Sequence, residues 1–152
     1  MKAMPQRRVE LSLTVQYASG DAIAAPTRAQ LRRWAAAACE HPLQAVLRFV
    51  DDEEGAALNH RHRGKDKPTN VLTFPYEGPP QVSGDIAICL PLAAREAATL
   101  GRPLAAHLAH LVVHAMLHLQ GYDHETDEQQ AKRMEMRERE ILQRFGVADP
   151  YQ

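Results

Sequence analysis

The sequence predicts an α+β domain, a mixed sheet of about four strands with four to five helices packed on it. Three observations carry this reading. Strand-like segments are confined to the chain before Pro91, helical periodicity runs onward from Pro91, and no repeat or Gly/Ser linker divides the chain. At 152 residues the chain fits one domain, taken as residues 1–152.

Val9 to Tyr17 alternates apolar and polar residues with period two, as a half-buried strand does. Thr27 is a candidate N-cap for the helix that follows, in which Leu31, Trp34, Ala35 and Ala38 share one face. Gln44 to Val50 reads as a second strand. Asp51 or Asp52 caps a short helix through Leu58, with Gly55 weakening it. Residues 60–70 read as a polar loop, Val71–Phe74 as a strand stopped by Pro75, and 77–84 as a Gly/Pro-rich loop. A fourth strand spans 85–90, and helices cover 91–100, 103–120 and about 127–145, the last opened by a Thr126–Gln129 capping box.

With 45% hydrophobic and 24% charged residues the chain is not disordered, and a formal net charge of −1 excludes a generally polybasic protein. Cys39 and Cys89 make no disulfide scaffold and no CxxC pair, which favours a reducing compartment. The first residues lack the apolar run of a secretory signal. Segment 103–120 carries no Asp, Glu, Lys or Arg, but its histidines and Gln120 argue against a membrane span. A cytoplasmic protein is the expectation, with no membrane partner.

The informative segment is HAMLHLQGYDH, residues 114–124. His114 and His118 lie four apart on a helix, so their imidazoles sit one turn apart on one face. Gly121 suits a left-handed helix cap, and His124 falls in the turn beyond it, where the chain folds back toward the pair. Three imidazoles with an open fourth position form the catalytic zinc pattern, so one Zn2+ per chain is expected on His114, His118 and His124. Imidazole also suits nickel, copper and iron. His110 shares the stripe, but its spacing runs away from the turn, and it reads as a supporting or structural residue. Ala115 stands where a zinc peptidase has its general-base Glu, which disfavours that mechanism.

The second segment is LNHRHRGKDKPTNVLTFP, residues 58–75. Arg61, Arg63, Lys65 and Lys67 outnumber Asp66, and an arginine here can grip a phosphate through two hydrogen bonds. A metal site beside a cationic loop points to phosphoryl chemistry. Arg61, Lys65 and Lys67 are candidate contacts to such a phosphate-bearing substrate, which a family resemblance implies to be RNA.

Together these segments resemble the YbeY family of bacterial rRNA-maturation endoribonucleases. The family pattern is H-x3-H-x5-H in a segment like HGxLHLxGYDH, preceded by a loop like YRxxDxPTxVLSFP. Here these read HAMLHLQGYDH and HRGKDKPTNVLTFP, and SGDIAIC at 83–89 and DPY at 149–151 also match. Ala115 replaces the usual Gly and His62 the usual Tyr. The resemblance covers the chain from about residue 45. It implies a single α+β domain, a zinc-like ion on the three histidines, Arg63 as the functional arginine, and a role in 16S rRNA 3′-end maturation and ribosome quality control.

The expected activity is metal-dependent cleavage of single-stranded rRNA, with the ribosome or its small subunit as partner and no small-molecule substrate. Arg63 stabilises the negative charge growing at phosphorus, and the attacking group is either the ribose 2′-hydroxyl or water. One Trp, four Tyr and three Phe leave little for base stacking. Asp85 and Asp123 are candidates to orient a ligating imidazole, each weighed against a structural role. The alternatives are another three-His zinc hydrolase, a peptidase or amidohydrolase, and a non-catalytic ribosome-assembly factor stabilised by its metal.

Overall fold

Leu11, Leu13 and Val15 alternate with Ser12 and Thr14, and the segment forms the edge strand β1 (Leu11–Tyr17). The computed structural model describes residues 9–20, 22–63, 69–123, 125 and 127–151, and of Arg63 the backbone alone. After β1 come α1 (Arg28–Ala37), β2 (Leu43–Val50), α2 (Asp52–Arg63), β3 (Val71–Glu77) and β4 (Val82–Cys89). Three consecutive helices close the chain: α3 (Leu90–Leu100), α4 (Leu104–Leu119) and α5 (Glu128–Gln143). The sheet order is β1-β2-β4-β3, with β1, β2 and β4 parallel and β3 antiparallel to β4. This is the expected mixed four-stranded sheet with five helices.

Thr27 caps α1 as expected, its side chain accepting from the Gln30 N–H. Three expectations need correcting. Residues 60–63 belong to α2 and not to a loop. Asp51 caps α2 by accepting the Glu54 N–H, Asp52, Glu53 and Glu54 occupy its first turn, and Arg61 and Arg63 close it. That charge order suits the helix dipole and offsets the cost of about 1 kcal/mol that Gly55 carries. Pro75 lies inside β3, which is tolerated because β3 is an edge strand with a register shift between Pro75 and Glu77. The 77–84 loop is correspondingly shorter, because β4 starts at Val82 and ends at Cys89. At α5 the cap is Asp127, which accepts the Gln130 N–H, while Thr126 lies outside the described residues.

Register sets the buried face of the sheet. Leu43, Ala45, Leu47 and Phe49 of β2 pair with Val82, Gly84, Ile86 and Ile88 of β4, all of them buried. The apolar helix α4 packs against β3, β4, α1, α3 and α5, and its Leu108, Leu111, Val112, Ala115, Met116 and Leu119 are buried. Its C-terminus ends in a glycine turn. The Tyr122 N–H reaches the Leu117 carbonyl and the Gly121 N–H that of His118, both at 3.1 Å, with Gly121 at φ 101°. Gln120, also buried, donates to the Ala38 and Met116 carbonyls and accepts from the Glu40 and His41 N–H groups, tying this end of α4 to the α1–β2 connection.

Gly84 lets the end of α4 approach the sheet. A Cβ there would stand 2.6 Å from Leu119 Cδ2 and 2.9 Å from the Phe74 carbonyl oxygen. Gly84→Ala is therefore expected to destabilise the protein by about 1–3 kcal/mol in urea denaturation. A change below about 0.5 kcal/mol, within the range of an ordinary surface substitution, would contradict the close packing of α4.

Candidate metal centre

A polar atom buried with α4 needs a partner, and His107, His110 and His114 each find one through one ring nitrogen on a neighbouring helix. His107 Nε2 lies 3.1 Å from Glu96 Oε1 of α3. Glu96 also accepts from Asn70 Nδ2, and the Asn70 carbonyl accepts the Cys89 N–H, so the residue preceding β3 is anchored at the sheet edge. His110 Nε2 lies 3.1 Å from Glu138 Oε2, and His114 Nδ1 lies 2.6 Å from Glu138 Oε1. Glu138 projects from α5 and is fully buried. The Tyr151 hydroxyl donates to Glu138 as well.

Burial pushes the Glu138 carboxyl up, but the hydrogen bonds from His110, His114 and Tyr151 outweigh it and bring it down to about 2. Burial and the neighbouring carboxylate raise the Tyr151 phenol, which stays a donor. An ionised carboxylate only accepts, so the His114 ring donates to it from Nδ1.

His114 and His118 line a cleft of about 230 Å³ together with His62, Val71, Leu72, Thr73 and Glu125. The cleft lies between α4 and the edge strand β3, and His62 brings the last turn of α2 to it, its ring 4.6 Å from that of Phe74. Arg63 follows His62 and ends α2. The two motif segments, far apart in sequence, thus meet at one cleft. Arg61 is exposed on the same helical turn. His124, Lys65 and Lys67 lie outside the described residues.

The two aspartates have other described partners. Asp85, on β4, accepts from the Tyr76 hydroxyl, and Asp123 accepts the Glu125 N–H in the turn after α4. Neither of these bonds is to an imidazole. Sequence reasoning missed Glu138. Its signal was a charged residue in register with Met134, Ile141 and Leu142 on the apolar face of α5, where a carboxylate is buried only with partners. Among the described residues, donor atoms of His110, His114 and Glu138 lie within 4.8 Å of one another, a grouping able to hold a metal ion.

Comparison with known proteins settles the family. Residues 18–146 match the family described as endoribonuclease YbeY. The chain belongs to the YbeY family. A relative named endoribonuclease YbeY from Thiobacillus denitrificans is 52% identical over 144 residues, covering 93% of this chain and 97% of its own. Another of that name, from Methylococcus capsulatus, is 52% identical over 146 residues and is covered over 95% of its length. A solution structure from Thermotoga maritima shares the fold at a TM-score of 0.56, with 22% identity over 92% of this chain and 99% of that one. The family expected from the three-histidine segment and the loop before β3 is the one that matches.

The Glu138 cluster makes its own prediction. Tyr151→Phe removes a hydrogen bond to a buried carboxylate and is expected to cost about 1.5–3 kcal/mol in urea denaturation. Unchanged stability would mean that the tyrosine does not close this network.

Proposed function

We propose that the chain is a metal-dependent endoribonuclease acting on single-stranded RNA, and that its substrate is the 3′ region of 16S rRNA on the small ribosomal subunit. The observation carrying this reading is the convergence of His114, His118 and the Arg63-bearing end of α2 on one cleft, in a chain of the YbeY family. No helix among the described residues is long and apolar enough to cross a membrane. A cytoplasmic location is part of the proposal.

The donor set fits a zinc-like ion held by His114, His118 and His124. Two imidazoles one helical turn apart line one cleft, and His114 uses Nδ1 toward Glu138, so Nε2 is the nitrogen assigned to the ion. We place the ion here and not among His110, His114 and Glu138. Those donors are already hydrogen-bonded to one another and closed by Tyr151, so an ion among them would have to displace these protons. Bound in the cleft, zinc supplies a Lewis acid for a phosphoryl oxygen.

The protein's residues do the rest. The histidines hold their geometry because α4 is fixed on several sides by its neighbours. Arg63 neutralises the negative charge that accumulates at phosphorus, aided by the exposed Arg61 and by Lys65 and Lys67 along the RNA backbone. Ala115 is buried in the core, so the position after the first histidine contributes no carboxylate to the cleft. This speaks against a peptidase of the metal-plus-glutamate kind.

Two outcomes test the reading. His118→Ala and chelator-treated wild type are each expected to lose cleavage of single-stranded rRNA fragments. Equal cleavage by a matched preparation of the variant would contradict the site. Arg63→Ala is expected to keep its melting temperature and lose about 10²-fold in cleavage rate. Retained cleavage in that variant would contradict the role given to Arg63.

A further inference from the structure

The described structure leaves Glu138 as a fully buried carboxylate whose side-chain hydrogen-bond partners are two imidazoles and one phenol, with no lysine or arginine bonded to it. Burying a carboxylate with only such partners is expensive unless positive charge lies close by. His114, bonded to Glu138 Oε1 through Nδ1, is also a residue of the cleft, so its ring links the carboxylate to the place where such a charge would sit.

We propose that Glu138 is the positioning residue of the metal site. It holds His114 as the Nδ1–H tautomer, fixes the ring so that Nε2 meets the ion, and supplies the negative charge that strengthens this nitrogen as a ligand. His110 and Tyr151 are part of the device. They occupy further lone pairs of the carboxylate, His110 on Oε2 and Tyr151 on the same oxygen, and leave Oε1 to His114 at the shortest imidazole distance in the cluster. The stripe of histidines on α4 therefore divides by task. His107 is anchored on α3, His110 braces the carboxylate, His114 is oriented by it, and His118 faces the cleft. This inference rests on the reading that His114 and His118 are metal ligands.

The test uses the full chain and zinc alone as probe. Zinc affinity is measured by competition with a chromophoric chelator for wild type, Glu138→Gln and His118→Ala, and folding is checked by circular dichroism. Glu138→Gln is expected to bind zinc about 10–100-fold more weakly while keeping its helix content. An affinity within twofold of wild type, while His118→Ala loses binding, would overturn the role of Glu138 and leave the metal site standing. Abolished binding in Glu138→Gln with wild-type binding in His118→Ala would overturn both, because the ion would then lie on Glu138 itself. Nitrogen-15 spectra of histidine-labelled wild type give a second readout that does not depend on a variant folding. They are expected to show His114 protonated at Nδ1, and an Nε2–H tautomer would overturn the proposal.

Discussion

A helix enclosed by a sheet and three other helices needs partners for the polar groups it buries, and α4 carries four imidazoles. The rest of the molecule follows from this requirement. Its apolar side packs under β4 at Gly84, where the absence of a Cβ admits Leu119. Its polar stripe is answered by carboxylates from α3 and α5, brought there by the three consecutive C-terminal helices. What remains of the stripe, at the C-terminal turn, opens on the cleft beside β3.

The same constraint explains why the cleft is built where it is. The glycine turn ends α4 three residues after His118, and buried Gln120 clamps that turn to the α1–β2 connection with a full set of hydrogen bonds. Tyr122 continues the clamp, donating to Glu40, which also pairs with Arg137 of α5. The chain that leads to His124 thus departs from a fixed point. On the other wall, Asn70 anchors the start of β3, and α2 ends beside it.

Much of this was legible in the sequence because it is local. The cap at Thr27, the glycine after α4 and the i, i+4 histidine pair depend on neighbours within one or two turns, and the structure has the first two as expected and puts both members of the pair at the cleft. Other features depend on partners distant in the chain. Pro75 looked like a strand stop because the edge position of β3 is decided by strand order, which periodicity does not encode. Residues 60–63 looked like loop because their polarity hid a helix held by its caps and its charge order. Glu138 was missed for the same reason. It lies on another helix, and only packing reveals that it answers His110 and His114. Asp85 and Asp123 lie near motif residues in sequence but bond to Tyr76 and the Glu125 backbone.

The proposed centre holds one ion in the cleft on His114 and His118, with Glu138 behind it as support. Anomalous diffraction at the zinc edge, from crystals of zinc-loaded protein, locates the ion directly. A single site is expected, at roughly 2.0–2.1 Å from His114 Nε2 and from a nitrogen of His118. A peak bonded to a Glu138 oxygen and to His110, with His118 uninvolved, would contradict it.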